Sequence, residues 1–247
     1  MNRGIADITP LTLLDFPGKV ACILWFSGCN FRCQYCYNAD LAKASMAKTG
    51  FLSRIREHSV EEFLKSRAGF LDGVVMSGGE CSLCPDLPDV CSLARSMGYA
   101  VKLDTNGTNP KLIQQLVESD LVQYIALDYK APQHMFSDMA GCPQRLWNAF
   151  SESLDWLIAR QFPFEVRTTV HLDLLLENDI NTIIDDLAAR GYAGTYYLQH
   201  YFHTETNMQH LSEPIRHFNP HLLHSTIPVS LRNFPDETAF YARAGAL

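Results

Sequence analysis

Apolar runs rich in β-branched residues alternate along this chain of 247 residues with stretches whose apolar positions recur every three to four residues. The first pattern predicts buried strands, and the second predicts amphipathic helices. The predicted strands span residues 20–27, 73–77, 99–104, 122–128, 164–171 and 195–201. The predicted helices span residues 60–68, 85–97, 110–119, 144–161 and 179–190. Strands that alternate with helices predict parallel β-α units with right-handed crossovers. The sequence therefore predicts an α/β fold, a curved and open partial (βα)6 barrel.

Composition and charge narrow the class of protein. With 47% apolar residues, the chain can bury the core of a single domain over 1–247, with a core at about 10–201 and a C-terminal extension at about 202–247. No run of about 18 apolar residues is present, so no membrane span is expected. The net charge of −7 argues against a nucleic-acid partner, because phosphate binding depends on Lys and Arg. Residues 1–10 contain no basic stretch followed by an apolar core, so we expect no signal peptide and a cytoplasmic protein.

Three cysteines follow the first predicted strand. Cys29, Cys33 and Cys36 have the spacing C-x3-C-x2-C. Cysteine sulfur is the soft ligand that iron clusters select, so this loop predicts a 4Fe–4S cluster. Three cysteines leave one iron of a four-iron cluster without a protein ligand. That open iron can bind and activate a small molecule, as catalytic metal sites do.

Two other interpretations of the cysteines are open. Cys22 lies seven residues before Cys29 and could complete a zinc site of four cysteines, and eight cysteines in a secreted protein would suggest disulfides. Cys22 belongs, however, to an apolar run that predicts a buried strand, where cysteine behaves as a small hydrophobe. Eight cysteines are also sparse for a disulfide scaffold, and a reducing cytoplasm suits thiolate-bound iron. The cluster is therefore favoured over zinc or unligated thiols.

Polar motifs follow the next three predicted strands. They are Ser77, Gly78, Gly79 and Glu80 after the second strand, Asp104, Thr105, Asn106 and Gly107 after the third, and Asp128, Tyr129 and Lys130 after the fourth. Each motif alone could be a tight turn or a helix cap. In parallel sheets, however, functional groups gather at the carboxyl ends of the strands. Together with the cysteine loop, these motifs predict one site, in which glycine carbonyls and Glu80 can receive an ammonium group.

Five segments carry a resemblance to a known family. They are residues 14–19 (LDFPGK), 36–38 (CYN), 77–80 (SGGE), 102–108 (KLDTNGT) and 166–170 (VRTTV). Together they resemble the radical S-adenosylmethionine (radical SAM) activating enzymes of glycyl radical enzymes, and the closest type is the activating protein of anaerobic ribonucleoside-triphosphate reductase. The likeness covers roughly residues 10–201.

The resemblance implies an activity and partners. The free iron binds the methionine end of SAM, and an electron from the cluster cleaves SAM to a 5′-deoxyadenosyl radical. This radical takes hydrogen from a backbone glycine of a large partner enzyme, which enters through the lateral mouth of the open barrel. A flavodoxin or ferredoxin supplies the electron.

The resemblance also implies roles for single residues. The cluster ligands are Cys29, Cys33 and Cys36. The residues implied to lie around SAM are Tyr35 beside the adenine, Gly78, Gly79 and Glu80 at the amino group, Lys130 near the carboxylate, Arg167 facing SAM or the substrate, and Asn106 in the third strand-end motif. Asp104 and Asp128 correspond to residues that lie near SAM and can hold a monovalent cation. A histidine after the sixth strand contacts SAM in some relatives, and this chain offers His200 or His203.

Some features leave alternatives open. Cys81, Cys84, Cys91 and Cys142 could bind a second cluster, and Cys81-x-x-Cys84 could be a redox pair. A histidine-rich tail could bind metal, its members being His200, His203, His210, His217, His221 and His224. The same loops would serve a radical SAM enzyme that acts on a small molecule or another peptide. A non-catalytic electron-transfer protein would not need the Gly-Gly-Glu motif or the Asp-x-Lys pair.

Overall fold

The computed structural model describes residues 4–44, 60–205 and 207–234, which form one mostly parallel sheet of eight strands covered by helices. The strands are β1 (Ile5–Thr12), β2 (Ala21–Phe26), β3 (Gly73–Gly78), β4 (Ala100–Thr105), β5 (Tyr124–Asp128), β6 (Phe164–Val170), β7 (Tyr196–His200) and β8 (Val229–Arg232). The helices are α1 (Ala39–Lys43), α2 (Val60–Ser66), α3 (Leu87–Ser96), α4 (Pro110–Glu118), α5 (Phe136–Ala140), α6 (Leu146–Ala159) and α7 (Glu177–Ala189). Short 3-10 turns lie at Cys81–Leu83 and Pro220–Leu222.

The strands follow one another across the sheet in chain order, from β1 at one edge to β8 at the other. β1 runs antiparallel to β2, and every pair from β2 to β8 is parallel. The sheet does not close, since β1 and β8 remain its edges. This architecture confirms the predicted α/β fold with an open parallel sheet. The six predicted strands are β2 to β7, and the five predicted helices are α2, α3, α4, α6 and α7.

The sequence prediction missed the two edge strands and two short helices. β1 begins before the predicted core of 10–201, and β8 lies in the segment expected to be an extension. β1 is partly exposed, contains Pro10 and pairs with two irregularities in register, so its alternation is weak. β8 has only four residues. α1 and α5 have five residues each, which is too short for a helical period to show.

Alternation along the strands separates an apolar face from a mixed one. Residues such as Leu24, Met76 and Leu103 are fully buried on the face that packs against the helices. On the inner face of the curved sheet, a small cluster of Phe16, Ala21, Ile23 and Val75 fills the end nearest the amino ends of the strands. Nearer the carboxyl ends of the strands, the same face also carries polar side chains, among them Ser77, Asp104 and Arg167. The sheet therefore places charged groups at the carboxyl ends of its strands, on the concave side.

An ion pair holds the edge strand β8 in place. The Arg232 guanidinium donates to both oxygens of Glu165 on β6, at 3.1 and 2.8 Å. It also lies 3.5 Å from the ring centroid of Tyr197 on β7, the strand in between. A bidentate pair and a cation–π contact thus link three neighbouring strands on the inner face.

Within the described ranges, no helix is long and apolar enough to cross a membrane.

This ion pair generates a stability prediction. Arg232→Met should lower the free energy of unfolding by about 2–3 kcal/mol, because it leaves the Glu165 carboxylate, which is 3% exposed, without its counter-charge. The double variant Arg232→Met with Glu165→Met should recover much of that loss. Urea unfolding followed by circular dichroism measures both. Lys65→Met removes an exposed pair with Glu61 and is the control. An equal effect of Arg232→Met and Lys65→Met would contradict the predicted role.

Candidate active site

A cleft opens inside the curved sheet at the carboxyl ends of the strands. Its walls contain every residue predicted for the site except the histidine. These residues are Cys29, Cys33, Tyr35, Cys36, Gly78, Gly79, Glu80, Asp104, Asn106, Asp128, Lys130 and Arg167. They come from the loop after β2, from the carboxyl ends of β3, β4 and β5 and the residues directly after them, and from β6. The structure thus brings together side chains that are up to 138 residues apart in the chain, from Cys29 to Arg167.

Hydrogen bonds from two sides fix the cysteine loop. Backbone N–H groups of Arg32 and Gln34 donate to the carbonyls of Ala140 and Met139, so α5 supports one side of the loop. From the segment after β7, the N–H of Met208 donates to the carbonyl of Cys36 at 3.1 Å. The loop is therefore held by elements that are distant in sequence.

The chemistry of the three thiols fits a metal cluster. Cys33 is buried, and Cys29 and Cys36 are half-buried. Burial raises the pKa of Cys29 and of Cys33 to about 12, and it also raises the pKa of Cys36. A bound metal supplies the positive charge that converts such thiols into thiolates. Metal binding should accordingly release protons from these cysteines.

The arrangement does not suit a single metal ion. Across residues 4–44, 60–205 and 207–234, no three Cys, His, Asp or Glu side chains are placed to hold one ion. A four-iron cluster spreads its cysteines over different irons, so its ligands need not converge on one point. The zinc interpretation also loses its fourth ligand. Cys22 is fully buried on the helix-facing side of β2, away from the cleft.

Gly78 and Gly79 are required by a close approach between two backbones. The N–H of Gly79 donates to the carbonyl of Phe26, and the N–H of Glu80 donates to the carbonyl of Gly28, both at 2.8 Å. A Cβ atom on Gly78 would lie 2.2 Å from the Phe26 oxygen, and one on Gly79 would lie 2.2 Å from the Gly28 oxygen. Gly78 also has a φ of +129°, which disfavours other residues. The two glycines therefore join the Glu80 loop to the cysteine loop.

Glu80 is 2% exposed and accepts three hydrogen bonds. Its Oε1 accepts from the N–H of Ser82 at 3.0 Å and from the hydroxyl of Thr105 at 2.8 Å, while its Oε2 accepts from the N–H of Asn106 at 2.7 Å. An ionised carboxylate has about four acceptor positions, so one remains at Oε2. Burial raises the pKa of Glu80, and a bound cation would offset that cost.

Asn106 connects this loop to the cysteine loop through side chains. Its Nδ2 donates to Oδ1 of Asn30 at 2.8 Å, and Asn30 in turn donates to the hydroxyl of Thr108 at 2.7 Å. Asn106 Oδ1 accepts from the same Thr108 hydroxyl at 2.7 Å. The place of Asn106 in the cleft is therefore partly structural.

Tyr35 is 3% exposed, and its hydroxyl donates to the Lys130 carbonyl at 3.2 Å.

Five charged side chains, from β4, from β5 and the residues after it, and from β6, form a chain of contacts on the inner face. Lys102 contacts Asp104 at 2.7 Å, Arg167 bridges Asp104 at 3.2 Å and Asp128 at 2.5 Å, and Lys130 contacts Asp128 at 2.9 Å. These five side chains, Lys102, Asp104, Arg167, Asp128 and Lys130, are called the charge chain below.

The members of the charge chain stabilise one another's ionised forms. Burial alone would raise the pKa of Asp128, but Arg167 and Lys130 lower it to about 2. Burial likewise opposes the charge of Lys130, yet Asp128 holds the pKa of that ammonium well above its usual value. The pKa of Asp104 is lowered by Arg167 and Lys102 despite burial. Asp104, Asp128 and Lys130 are therefore charged at neutral pH.

Neither of the two candidate histidines lines the cleft. His200 lies on the helix-facing side of β7 and contacts Phe234, with ring centroids 5.1 Å apart, and His203 is exposed and bonds the Leu211 carbonyl. Gln199, one residue earlier, faces the cleft instead, opposite Thr169 of β6. The sequence analysis missed Gln199 and Thr169, which also line the cleft. Period-two alternation from Arg167 would have identified Thr169.

The other cysteines lie outside the cleft. Cys81 is fully buried against the backbone, with its Sγ 3.3 Å from the Asp104 carbonyl and 3.5 Å from that of Met76. Cys84 faces Gly4, Cys91 lies in the core on α3, and Cys142 follows α5. The four cysteines considered for a second cluster therefore face different surroundings.

The tail histidines do not gather around a common point either. The ring of His224 bonds Asp185 on α7, while His200 and His203 have the separate contacts described above. Within the described part of the chain, the tail shows no metal-binding group.

Comparisons with known proteins agree with this geometry. The Radical SAM superfamily profile matches residues 23–187 of the chain. A protein of Methanocaldococcus jannaschii, provisionally named as a glycyl-radical enzyme activating enzyme, is 29% identical over 188 residues, which are 74% of this chain and 75% of that protein. The pyruvate formate-lyase-activating enzyme of Clostridium pasteurianum is 33% identical over 111 residues, but these cover only 42% of this chain and 43% of that enzyme.

A solved structure shows the same fold. SuiB of Streptococcus suis bound to S-adenosylmethionine superposes with a TM-score of 0.59 over 86% of this chain and 50% of SuiB, at 10% identity. The superfamily profile spans two thirds of the chain, including the cysteine loop and all the strand-end motifs before β7. The chain belongs to the radical SAM superfamily, whose members use a 4Fe–4S cluster and SAM.

Proposed function

We propose that this protein activates a glycyl radical enzyme by abstracting hydrogen from a backbone glycine of that partner. The observation that carries the proposal is the single cleft that joins the three-cysteine loop to Glu80 and the charge chain. The names of the Methanocaldococcus and Clostridium relatives support the activase class. The resemblance carried by all five segments, residues 14–19, 36–38, 77–80, 102–108 and 166–170, supports an anaerobic ribonucleotide reductase as the partner, and a flavodoxin or ferredoxin as the electron donor fits that class.

Different residues of the cleft would bind the cluster and SAM. Cys29, Cys33 and Cys36 would hold three irons of the cluster, and the free acceptor position of Glu80 would receive the ammonium group of SAM. Lys130 and Arg167 supply positive charge for the SAM carboxylate. When bound, the cluster and SAM supply the reductive cleavage of SAM and the hydrogen-atom abstraction. Thiolate-bound iron needs a reducing compartment, which supports a cytoplasmic location.

The open sheet supports a protein substrate. Among the described residues, no strand closes the barrel between the edges β1 and β8, so the sheet is open on that side. A glycine loop of a large partner needs such lateral access, because the buried walls of the cleft would otherwise be beyond its reach. The partner's backbone would then complete the exclusion of water from the site.

The cluster can be tested by counting irons. Anaerobically reconstituted protein should bind about four irons, and Cys29→Ala, Cys33→Ala or Cys36→Ala should abolish stable binding and the brown colour. Cys22→Ala is the matched control. Cys22 lies seven residues before Cys29, on the face of β2 that is turned away from the cleft, so this variant should keep all the iron. A protein with about eight irons that loses half of them in Cys81→Ala would show a second cluster. Retention of iron in the Cys33 variant would contradict the proposal.

SAM binding tests the roles of Glu80 and Lys130. Glu80→Gln and Lys130→Met should keep the cluster but weaken SAM binding about ten- to a hundredfold, because a lost charge-assisted hydrogen bond is worth about 1.5–3 kcal/mol. Equilibrium dialysis with the reconstituted protein measures the affinity. Lys111→Met changes an exposed lysine on α4 and should leave the affinity unchanged. Wild-type affinity in both cleft variants would show that the SAM roles are misplaced.

The substrate assignment is tested by electron paramagnetic resonance (EPR). The reduced protein with SAM and a glycyl radical enzyme from the same organism should give the doublet of a stable glycyl radical. This doublet should disappear when the partner's glycine is replaced by alanine. SAM cleavage should be slow without the partner and faster with it, because the partner loop completes the site. Rapid turnover of a small molecule, with no radical on any candidate partner, would reject the activase function and leave the superfamily assignment intact.

A further inference from the structure

Lys102 is a buried lysine that does not line the cleft and has no proposed role in binding the cluster or SAM. It is 2% exposed and lies on the inner face of β4, where its neighbours in register are Val75 on β3 and Tyr124 on β5. Its stem therefore packs in the apolar layer beneath the cleft, and its ammonium reaches Asp104 Oδ1 at 2.7 Å. Burying an ammonium costs several kcal/mol unless it is paired, so this arrangement needs a reason.

The carboxylates at which a monovalent cation was expected are already engaged. Asp104 Oδ1 contacts Lys102, and Asp104 Oδ2 contacts Arg167 and the hydroxyl of Ser77. Asp128 Oδ1 contacts Arg167, and Asp128 Oδ2 contacts Lys130. Each of the four oxygens thus faces a cationic side chain. A sodium or potassium ion would have to displace one of these charges to reach an oxygen.

The charge chain carries a net positive charge without any metal. Three cations, Lys102, Arg167 and Lys130, face the two anions Asp104 and Asp128. Without Lys102, the two remaining cations would only balance the two carboxylates. Arg167 and Lys130 would then be fully committed to the aspartates, and a ligand carboxylate would meet a neutral wall. When Lys102 is present, its ammonium group neutralises Asp104. The positive charge of Arg167 therefore remains available to attract an anion in the cleft.

We propose that Lys102 is a built-in cation, a positioning residue that acts through Asp104 and makes SAM binding independent of sodium and potassium ions. This inference rests on the proposed SAM site. It replaces the monovalent cation expected from the sequence with a side chain of the protein itself. Lys102 does not line the cleft, so its effect on the ligand is indirect.

The first experiment uses the unmodified protein with its cluster. SAM affinity is measured by equilibrium dialysis in potassium, sodium or tetramethylammonium chloride at equal ionic strength. The affinity should be the same within about twofold in all three salts. A loss of about tenfold or more in tetramethylammonium chloride would overturn the inference, because it would show that the wild-type site takes up a metal cation. Absence of SAM binding in every salt would instead overturn the proposed function on which the inference rests.

The second experiment creates the missing cation site. Lys102→Met keeps a buried apolar stem and removes the charge, so SAM affinity in tetramethylammonium chloride should fall by about tenfold or more. Potassium or sodium ions should restore most of it by taking the place of the ammonium beside Asp104. The same ions should raise the melting temperature of cluster-free Lys102→Met and leave that of the wild type unchanged. Lys111→Met, exposed on α4, is the control and should respond like the wild type.

The outcomes separate a positioning role from a structural one. Folded Lys102→Met that binds SAM like the wild type in tetramethylammonium chloride would overturn the inference. So would a loss of affinity that no alkali ion restores, since that result fits simple disruption of the core. Lys102→Arg retains the charge and should bind SAM without added alkali ions. If Lys102→Met does not fold, the wild-type salt series and Lys102→Arg still decide the question.

Discussion

Two backbone hydrogen bonds, from Gly79 to Phe26 and from Glu80 to Gly28, determine where the rest of the site can be. They hold the turn after β3 directly against the loop that carries the cysteines. No side chain fits between the two backbones, because a Cβ on either glycine would overlap a carbonyl oxygen. The buried Glu80 carboxylate and the cysteine thiols consequently share one cleft. Every proposed binding role in this protein depends on that short distance.

The second constraint is electrostatic. An open parallel sheet exposes the inner face of its strands. In this protein, apolar side chains cover that face near the amino ends of the strands, and the charge chain lies near their carboxyl ends. Charges in such a place are stable only when each has a partner, and here Arg167 links the carboxylates of β4 and β5. The same contacts that stabilise the sheet also set the sign of the charge that a ligand meets. Structure and binding therefore rely on the same side chains.

The sequence contained much of this site because its residues lie in short local motifs. The cysteine spacing, the Gly-Gly-Glu turn and the Asp-x-Lys pair each follow a strong strand, and parallel strands bring such ends together. What failed depended on long-range contacts or on strand register. β8 is held by Arg232 reaching across β7 to Glu165, which no local pattern records. The resemblance offered His200 or His203 as a SAM contact, whereas alternation along β7 turns Gln199 to the cleft.

Lys102 illustrates a signal that was present but not used. A lysine between Val101 and Leu103, in the middle of a buried strand, conflicts with the apolar pattern around it. Such a conflict often marks a functional position, because a buried charge must be compensated by a specific partner. The partner, Asp104, is two residues away on the same face. Only the structure showed that Asp104 is in turn shared with Arg167.

In the proposed site, the cysteine loop and the strand ends form one cleft in which SAM lies against a cluster with an open iron. The most direct measurement is the EPR spectrum of the reduced cluster, recorded with and without SAM. If SAM binds at the iron that lacks a cysteine, its addition should change the g values and line shape of the cluster signal. An identical spectrum at saturating SAM would contradict the claim, because the cofactor would then bind away from the cluster or not at all.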